Sequence, residues 1–344
     1  MHNLRKFMEK INTGRKDRLF TGKWPEEAAD SGGEPWYLTS APSGREDPLF
    51  IRYDEPMSAH TTFKVGGKAD VWVRPGKDIF PGYAARLLRA AREEGIPVFI
   101  LGDGANTVVS DRGIRGIVMD TGDYSGVTTQ EAGSVSALSG TSVDALADTL
   151  ANQGLSGLEF LAGMPGSVGG ALWMNARCYG KSVSDVLVET VILDENFEKQ
   201  TLPFRAEDFA YKKSPFQNRD ALILSARFAV RFGEASNMHK EIASYRHDRI
   251  DKGHFRFPSA GSAFKNNRDF GDPTGKIIDE LGLRGLGIGG AQVAPWHGNI
   301  IINTGNAAAS DIRQLMDEVA RRVKQERGLE LESEILSVGE WDCE

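Results

Sequence analysis

Four glycines fall within eight residues at Gly163-Met164-Pro165-Gly166-Ser167-Val168-Gly169-Gly170. A second cluster, Leu101-Gly102-Asp103-Gly104-Ala105-Asn106, follows directly on an apolar run that starts at Pro97. Glycine supplies 39 of the 344 residues, well above the usual share of about 7%. Positions without a Cβ let backbone N–H groups close on an anion or take positive φ, and a phosphate or pyrophosphate wants both. A plain tight turn or close strand packing would use the same glycines, so each cluster alone leaves both readings open. The first cluster lacks the third glycine and the immediate helix of a dinucleotide fingerprint, which argues against a Rossmann fold. Two such loops in one half of a chain point to a large phosphate-containing cofactor without naming it.

Near the other end, Leu331 to Val338 alternates as a strand. On it Glu334 shares a face with Leu336 and Val338, while Leu331, Ser333, Ile335 and Ser337 point the other way. A carboxylate among apolar neighbours is costly unless paired, and such positions are often functional. An edge residue reaching solvent would show the same pattern.

The elements that must hold these residues alternate from about residue 60. Asp70 to Pro75 reads as a strand stopped by proline. Phe80, Tyr83, Ala84, Leu87, Leu88 and Ala91 recur at helical spacing, and Gly95 ends that helix. Val135 to Leu138 is a strand, and Val143 to Gln153 a helix capped by Thr141 or Ser142. Val186 to Leu193 and Leu222 to Phe232 are further strands, and a polar helix-favouring stretch runs from Ala235 to Lys252. Gly275 to Leu281 is helical. So is the stretch with Ile312, Leu315, Met316, Val319 and Val323 on one face and Gly328 as its C-cap. The class is α+β. Residues 1–50 read as a solvated extension: a short basic amphipathic helix within Met1 to Lys23, then a Pro/Gly/Ser linker from Pro25 to Pro48. Residues 51–234 form a first domain and 235–344 a second.

The charge balance, 41 basic against 48 acidic residues, gives a net −7. No basic surplus advertises a nucleic-acid or membrane partner. Two cysteines far apart, Cys178 and Cys343, exclude a disulfide framework and a cysteine-rich zinc site, and no metal is expected. No apolar stretch is long enough to span a bilayer and no secretory h-region is evident, so a cytoplasmic location is expected.

Several blocks carry a resemblance. They are His60 to Asp70 (His-Thr-Thr-Phe-Lys-Val-Gly-Gly-Lys-Ala-Asp), Leu101 to Asn106, Gly154 to Phe160, Gly163 to Asn175, Pro258 to Asn266 (Pro-Ser-Ala-Gly-Ser-Ala-Phe-Lys-Asn), Gly275 to Asp279, Ile288 to Ala291 and Leu331 to Ile335. In this order, over roughly residues 50 to 340, the chain resembles the UDP-N-acetylenolpyruvoylglucosamine reductase family. Only Asn267 to Thr274 separates the serine motif from Gly275, as in the family's shorter type.

The resemblance implies an FAD-binding domain of the vanillyl-alcohol-oxidase type followed by a substrate-binding domain. It also implies NADPH-dependent reduction of UDP-N-acetylglucosamine enolpyruvate to UDP-N-acetylmuramate in peptidoglycan synthesis. FAD would be held noncovalently by Gly102, Asp103, Gly104, Ala105, Asn106, Gly163, Pro165, Gly166, Ser167, Gly169 and Gly170. Ser262 matches the family's proton donor, although read without the family a serine after Gly261 is an ordinary turn residue. Glu334 matches the catalytic glutamate. The family's Tyr-Arg-x-Ser reads Tyr211-Lys212-Lys213-Ser214 here, so Lys212 replaces an arginine, keeping the charge but losing the planar fork. Tyr211, Arg249, Asn266 and His297 are implied substrate contacts. Two other readings stay open: another flavoprotein oxidase or dehydrogenase of the same fold, and a catalytically silent protein that binds UDP-sugar or flavin as a sensor.

Overall fold

The structure, a computed structural model, describes residues 2–12, 19–20, 49–130 and 133–341. Seven α-helices lie in these residues: α1 (His2–Asn12), α2 (Phe80–Glu93), α3 (Val143–Asn152), α4 (Val168–Trp173), α5 (Ala235–Asp251), α6 (Thr274–Glu280) and α7 (Ala309–Arg327). Among the described residues no helix is long and apolar enough to cross a membrane.

The chain divides into two compact units, each assembled from separate stretches. The first comprises residues 1–53, 70–103 and 116–246, the second residues 54–69, 104–115 and 247–344. This differs from the linear division expected at residue 234. Residues 54–69 and 104–115 count with the second unit, and α5 divides after Arg246. The reason is long-range pairing that no local pattern reveals. Thr107–Val109 pairs in parallel with Leu336–Val338, more than two hundred residues away.

Two five-stranded sheets build the first unit. One runs in the order Leu19–Phe20, Leu49–Pro56, Lys68–Pro75, Ile114–Asp120, Val98–Leu101. In the other, Lys199–Pro203, Leu187–Leu193, Leu222–Ala229, Ser134–Leu138 and Val127–Gln130 are antiparallel neighbours. The apolar face of α2 (Phe80, Tyr83, Ala84, Leu87, Ala91) is buried on the first sheet with Val71, Val73, Ile117 and Met119. Into the same core α1 inserts Phe7, Met8 and Ile11, all at least nine-tenths buried. The expected helix is therefore present, but the expectation of a merely solvated extension does not hold for it. Three apolar residues at i, i+1 and i+4 found a face to bury, and burial of each such side chain is worth roughly 1.5–3 kcal/mol. The linker expected from Pro25 to Pro48 lies outside the described residues.

In the second unit, Ser259–Ser262, Ile300–Asn303, Ala291–Val293 and Gly287–Ile288 form an antiparallel sheet. Ile312, Leu315, Met316, Val319 and Val323 of α7 are buried in the same core, with Gly328 in the left-handed conformation as its C-cap. Asp111 caps the other end of α7, its carboxylate accepting the Ala309 and Ser310 N–H groups at 2.8 and 2.9 Å. Of the strand expected over Leu331 to Val338, only Leu336–Val338 forms. Ser333 makes a single antiparallel bridge with Phe264 instead.

Candidate active site

In the first unit the two glycine loops meet. A Cβ at Gly102 would stand 2.4 Å from Ser167 Oγ, so a side chain here would have to displace that hydroxyl. The Gly166 N–H faces the Asp103 carboxylate and favours its charged form. Gly166 takes φ +135, open essentially to glycine alone, behind half-buried Pro165. Gly163, at φ +68, donates its N–H to buried Asp144. Asp144 also takes two hydrogen bonds from Arg246, which continues to Asp148 and so ties α5 to α3.

Ser167 caps α4 by accepting the Gly170 N–H at 3.3 Å. Val168 and Gly169 donate to the Thr141 and Ser139 carbonyls, both at 2.8 Å. A Cβ at Gly169 would lie 2.9 Å from that of Ser139. Gly169 thus serves the close-packing reading, while Gly102 and Gly166 keep the cradle reading.

From the end of α4 the chain builds a second feature. The Trp173 carbonyl accepts Ser214 Oγ at 2.7 Å and Gln217 Nε2 at 3.0 Å. Asn175, buried and at φ +42, donates Nδ2 to the Ala210 carbonyl at 2.8 Å and accepts the Ser184 N–H at 3.2 Å. These bonds pin a tight turn in which Ala210 and Lys213 exchange backbone hydrogen bonds and Lys212 sits at φ +56. Lys212 is half-buried, and Tyr211 and Lys213 are exposed. A lysine at positive φ costs about 1 kcal/mol and persists only where its surroundings impose it, as they do here through Asn175 and Gln217. Nearby, Arg177 points outward and donates to Ser182 Oγ at 3.1 Å.

The second unit carries the rest. Ser262 ends its strand after Gly261 at φ +74, where the pairing with Ile300–Asn303 shifts register. The next peptides are clamped by buried Asn299: its carbonyl accepts the Ala263 N–H, its Oδ1 accepts the Phe264 N–H, and its Nδ2 donates to the Phe264 carbonyl. Glu334 then donates its backbone N–H to the Ala263 carbonyl at 2.9 Å, and Lys265 donates to the Glu332 carbonyl at 2.9 Å. Ser262 and Glu334 come from segments seventy residues apart in the chain. Their backbones are joined one residue from Ser262.

Asn106, expected on the cofactor, has a second duty here. Its Nδ2 donates to the Glu334 carbonyl at 2.9 Å, and its own carbonyl accepts the Leu336 N–H at 3.0 Å. The Gly104 and Ala105 carbonyls accept from Thr62 N–H and Oγ1, and a Cβ at Gly104 would strike the His60 carbonyl. The His60–Asp70 block therefore braces this loop. Asn266 Oδ1 accepts the Thr274 N–H at 2.9 Å and so starts α6, a structural role beside the substrate role expected of it.

Arg249 and His297 gather with a residue the sequence reading missed, His254. The two imidazoles stand 6.3 Å apart, and the Arg249 charge acts on His254. Burial, then Arg249, pushes His254 down to about 4. Burial followed by Arg284 lowers His297 as well. Both rings are neutral at pH 7. His297 Nδ1 accepts the Asn299 N–H at 3.1 Å, which places its proton on Nε2. The signal for His254 was its position two residues after a lysine and five after Arg249, at the end of a polar helix.

Comparison with known proteins agrees with this layout. Residues 253–338 match the model of the UDP-N-acetylenolpyruvoylglucosamine reductase C-terminal domain, and residues 83–196 match that of an FAD binding domain. A UDP-N-acetylenolpyruvoylglucosamine reductase of Treponema denticola is 38% identical, over 86% of this chain and 96% of its own. That of Caldanaerobacter subterraneus is also 38% identical, over 86% and 95%. The crystal structure of UDP-N-acetylenolpyruvylglucosamine reductase from Thermus caldophilus superposes with a TM-score of 0.68 at 30% identity, covering 85% of this chain and 99% of that one. The α+β class, with an FAD-binding domain ahead of a C-terminal domain, stands.

Proposed function

Because the chain belongs to the UDP-N-acetylenolpyruvoylglucosamine reductase family, we propose that it reduces the enolpyruvyl ether of UDP-N-acetylglucosamine to UDP-N-acetylmuramate, with NADPH as reductant, in a cytoplasmic step of peptidoglycan synthesis. FAD, when bound, would supply the hydride chemistry of this reduction, with NADPH as the source of the electrons. The residues fit that group: Gly102 and Gly166 offer backbone where a side chain would intrude or strain.

The protein's own task is the proton and the charge. Hydride addition at one carbon leaves carbanion character on its neighbour, next to a carboxylate. Ser262 is the group that returns a proton there. A serine hydroxyl is a weak acid, so it serves only beside a strongly basic carbon and with the developing charge stabilised. Glu334 polarises the same end of the substrate. Lys212 supplies the positive charge, by a point contact in place of a bidentate grip. Tyr211, Arg249, Asn266 and His297 are assigned to holding the nucleotide sugar.

The observation that carries this reading is the Glu334 N–H to Ala263 carbonyl bond, which joins the Glu334 backbone to the peptide that follows Ser262. The turn that Asn175 and Gln217 build under Lys212 speaks against a silent sensor, since backbone strain is seldom kept where nothing uses it. The test is NADPH oxidation by the flavin-loaded protein with and without the enolpyruvyl nucleotide. Turnover only in its presence is expected. Oxidation of small alcohols, or no turnover with full flavin, would overturn the reading.

A further inference from the structure

Within the first unit, the hairpin of Leu187–Leu193 and Lys199–Pro203 and the chain that leaves it enclose a cavity of about 130 Å³. No residue of either glycine loop lines it. Leu187, Leu202, Phe204, Phe209, Pro215 and Phe216 supply its apolar wall. The three phenylalanines follow one another in space, with centroids 5.4 Å apart from Phe204 to Phe209 and 6.3 Å from Phe209 to Phe216, the last pair edge to face. Arg205, Asp208 and Arg219 line the same cavity and are exposed, so they form its rim. Among the described residues neither guanidinium has an ion-pair or hydrogen-bond partner, not even Asp208. The rim thus sets two free guanidiniums against one carboxylate.

We propose that this cavity binds a small aromatic carboxylate, its ring among the three phenylalanines and its carboxylate on Arg205 and Arg219, and that occupancy steadies the turn carrying Lys212. Size selects the ring. An apolar cavity of about 150 Å³ stays dry and takes up benzene, so a space of this volume admits one six-membered ring and little more. Aromatic rings prefer offset or edge-to-face neighbours, and Phe209 and Phe216 already stand at such an angle. Charge selects the substituent. A cation would be repelled at this rim, whereas a carboxylate takes the forked hydrogen bonds of a guanidinium.

The turn is built into the cavity wall. Phe209 directly precedes the Ala210–Lys213 exchange of hydrogen bonds, and Pro215 and Phe216 follow it closely. The Phe216 N–H donates to Ser214 Oγ at 3.3 Å, and that hydroxyl donates to the Trp173 carbonyl. A ring lodged between Phe209 and Phe216 therefore touches the chain on both sides of the turn. A ligand that makes these contacts only while the turn is formed shifts the population towards the formed turn. Neither part of this requires Lys212 to be catalytic, so the proposal stands or falls apart from the proposed reaction.

The experiment titrates the flavin-loaded protein with 4-fluorobenzoate, followed by fluorine NMR, and measures hydrogen exchange with and without it. Saturable binding is expected, with a dissociation constant on the order of 1 mM or tighter for a ligand of this size. The double variant Arg205→Gln/Arg219→Gln should weaken it by about fivefold or more, the scale of losing exposed charge-assisted pairs. Fluorobenzene, which lacks the carboxylate, should bind wild type as weakly. Leu202→Trp should abolish binding by filling the cavity, and the arginine variant decides the matter if that protein does not fold. Lys212→Met should leave the titration unchanged, because Lys212 does not line the cavity. With ligand at about ten times its dissociation constant, exchange at residues 209–217 should slow by up to about tenfold, with the glycine loops unaffected. No saturable binding, binding indifferent to the arginine substitutions, or displacement by the enolpyruvyl nucleotide would overturn the site. Saturable binding without slower exchange at residues 209–217 would overturn the hold on the turn.

Discussion

Lys212 and Ser262 are held in different ways. In the first unit the lysine stands at the corner of a turn whose geometry is imposed by side chains: Asn175 on the Ala210 carbonyl, Gln217 on the Lys212 carbonyl and Ser214 on Trp173. In the second unit the serine follows a register shift, and its loop is held by backbone bonds, from Ala263 to Asn299 and from Glu334 to Ala263, together with the Asn299 side chain on Phe264. A turn pinned by side chains can be loosened by single substitutions without disturbing the sheet beneath it. A loop held by backbone pairing and one buried side chain, Asn299, tolerates changes at its other side chains. Under the proposed assignment, charge would be carried by the more adjustable mounting and proton delivery by the stiffer one. That fits a chain in which the cation has changed type while the serine motif has not departed from the family's pattern.

The largest effect on this comparison should come from Asp144→Ala. The change deprives Arg246 of a buried partner and the Gly163 N–H of its acceptor. Breaking a buried pair from one side costs on the order of 3 kcal/mol or more, although Asp148 remains. Urea unfolding should show that loss, with flavin content falling in step. An unchanged midpoint would mean that the α3–α5 tie is ornamental.

Next comes Lys212→Met, expected to lower turnover on the order of 10²-fold, as for loss of one preorganised electrostatic group, with flavin content unchanged. Lys212→Arg should keep substantial activity with an altered KM, since charge stays while hydrogen-bond geometry changes. The turn sharpens the control. Lys213 is the exposed last residue of the turn and contributes its backbone, so Lys213→Met should cost little. If Lys213→Met proved the damaging change, the charge assignment would be one residue off.

A smaller effect separates the units by pH. His254, held low, favours the second unit fully above about pH 6.5, and that contribution is lost as pH falls towards 4. Asp103, held high, acts in the opposite sense: its contribution to the first unit is complete below about pH 4 and fades as pH rises through about 6. Hydrogen exchange at pH 5 and pH 7 should therefore show protection near residues 253–258 and 294–299 falling in acid, with no parallel loss around the glycine loops. The smallest change is Asn266→Ala, which removes the acceptor for the Thr274 N–H and should cost about 1 kcal/mol of stability in thermal unfolding. A larger loss in kcat/KM than in stability would reveal its substrate contact.

Local signals in the sequence were sound where one element answers for itself. The spacing of Phe80, Tyr83, Leu87 and Ala91 gave α2, Ser142 caps α3, and Gly328 ends α7. They failed where a segment's state is set by a distant partner. Glu334 precedes a three-residue strand because Thr107–Val109 supplies only that much edge. The amphipathic face of α1 could be seen, but the core awaiting it could not. The two glycine clusters were legible as a pair, yet their meeting at Gly102 and Ser167 was not, nor was the use of Gly169 for packing on Ser139. Asn175, Asn299 and His254 carry no motif of their own that physics alone would single out. Their importance comes from what folding brings beside them.

The central claim is that hydride and proton are handled by different parts of the molecule, and rapid-mixing measurement of the two half-reactions in Ser262→Ala tests it most directly. Flavin reduction by NADPH should proceed at nearly the wild-type rate, whereas reoxidation of the reduced flavin by the enolpyruvyl nucleotide should slow by on the order of 10²-fold or more, the scale of one lost proton donor. Equal collapse of both half-reactions, with folding and flavin content unchanged, would contradict the assignment of Ser262 to the proton.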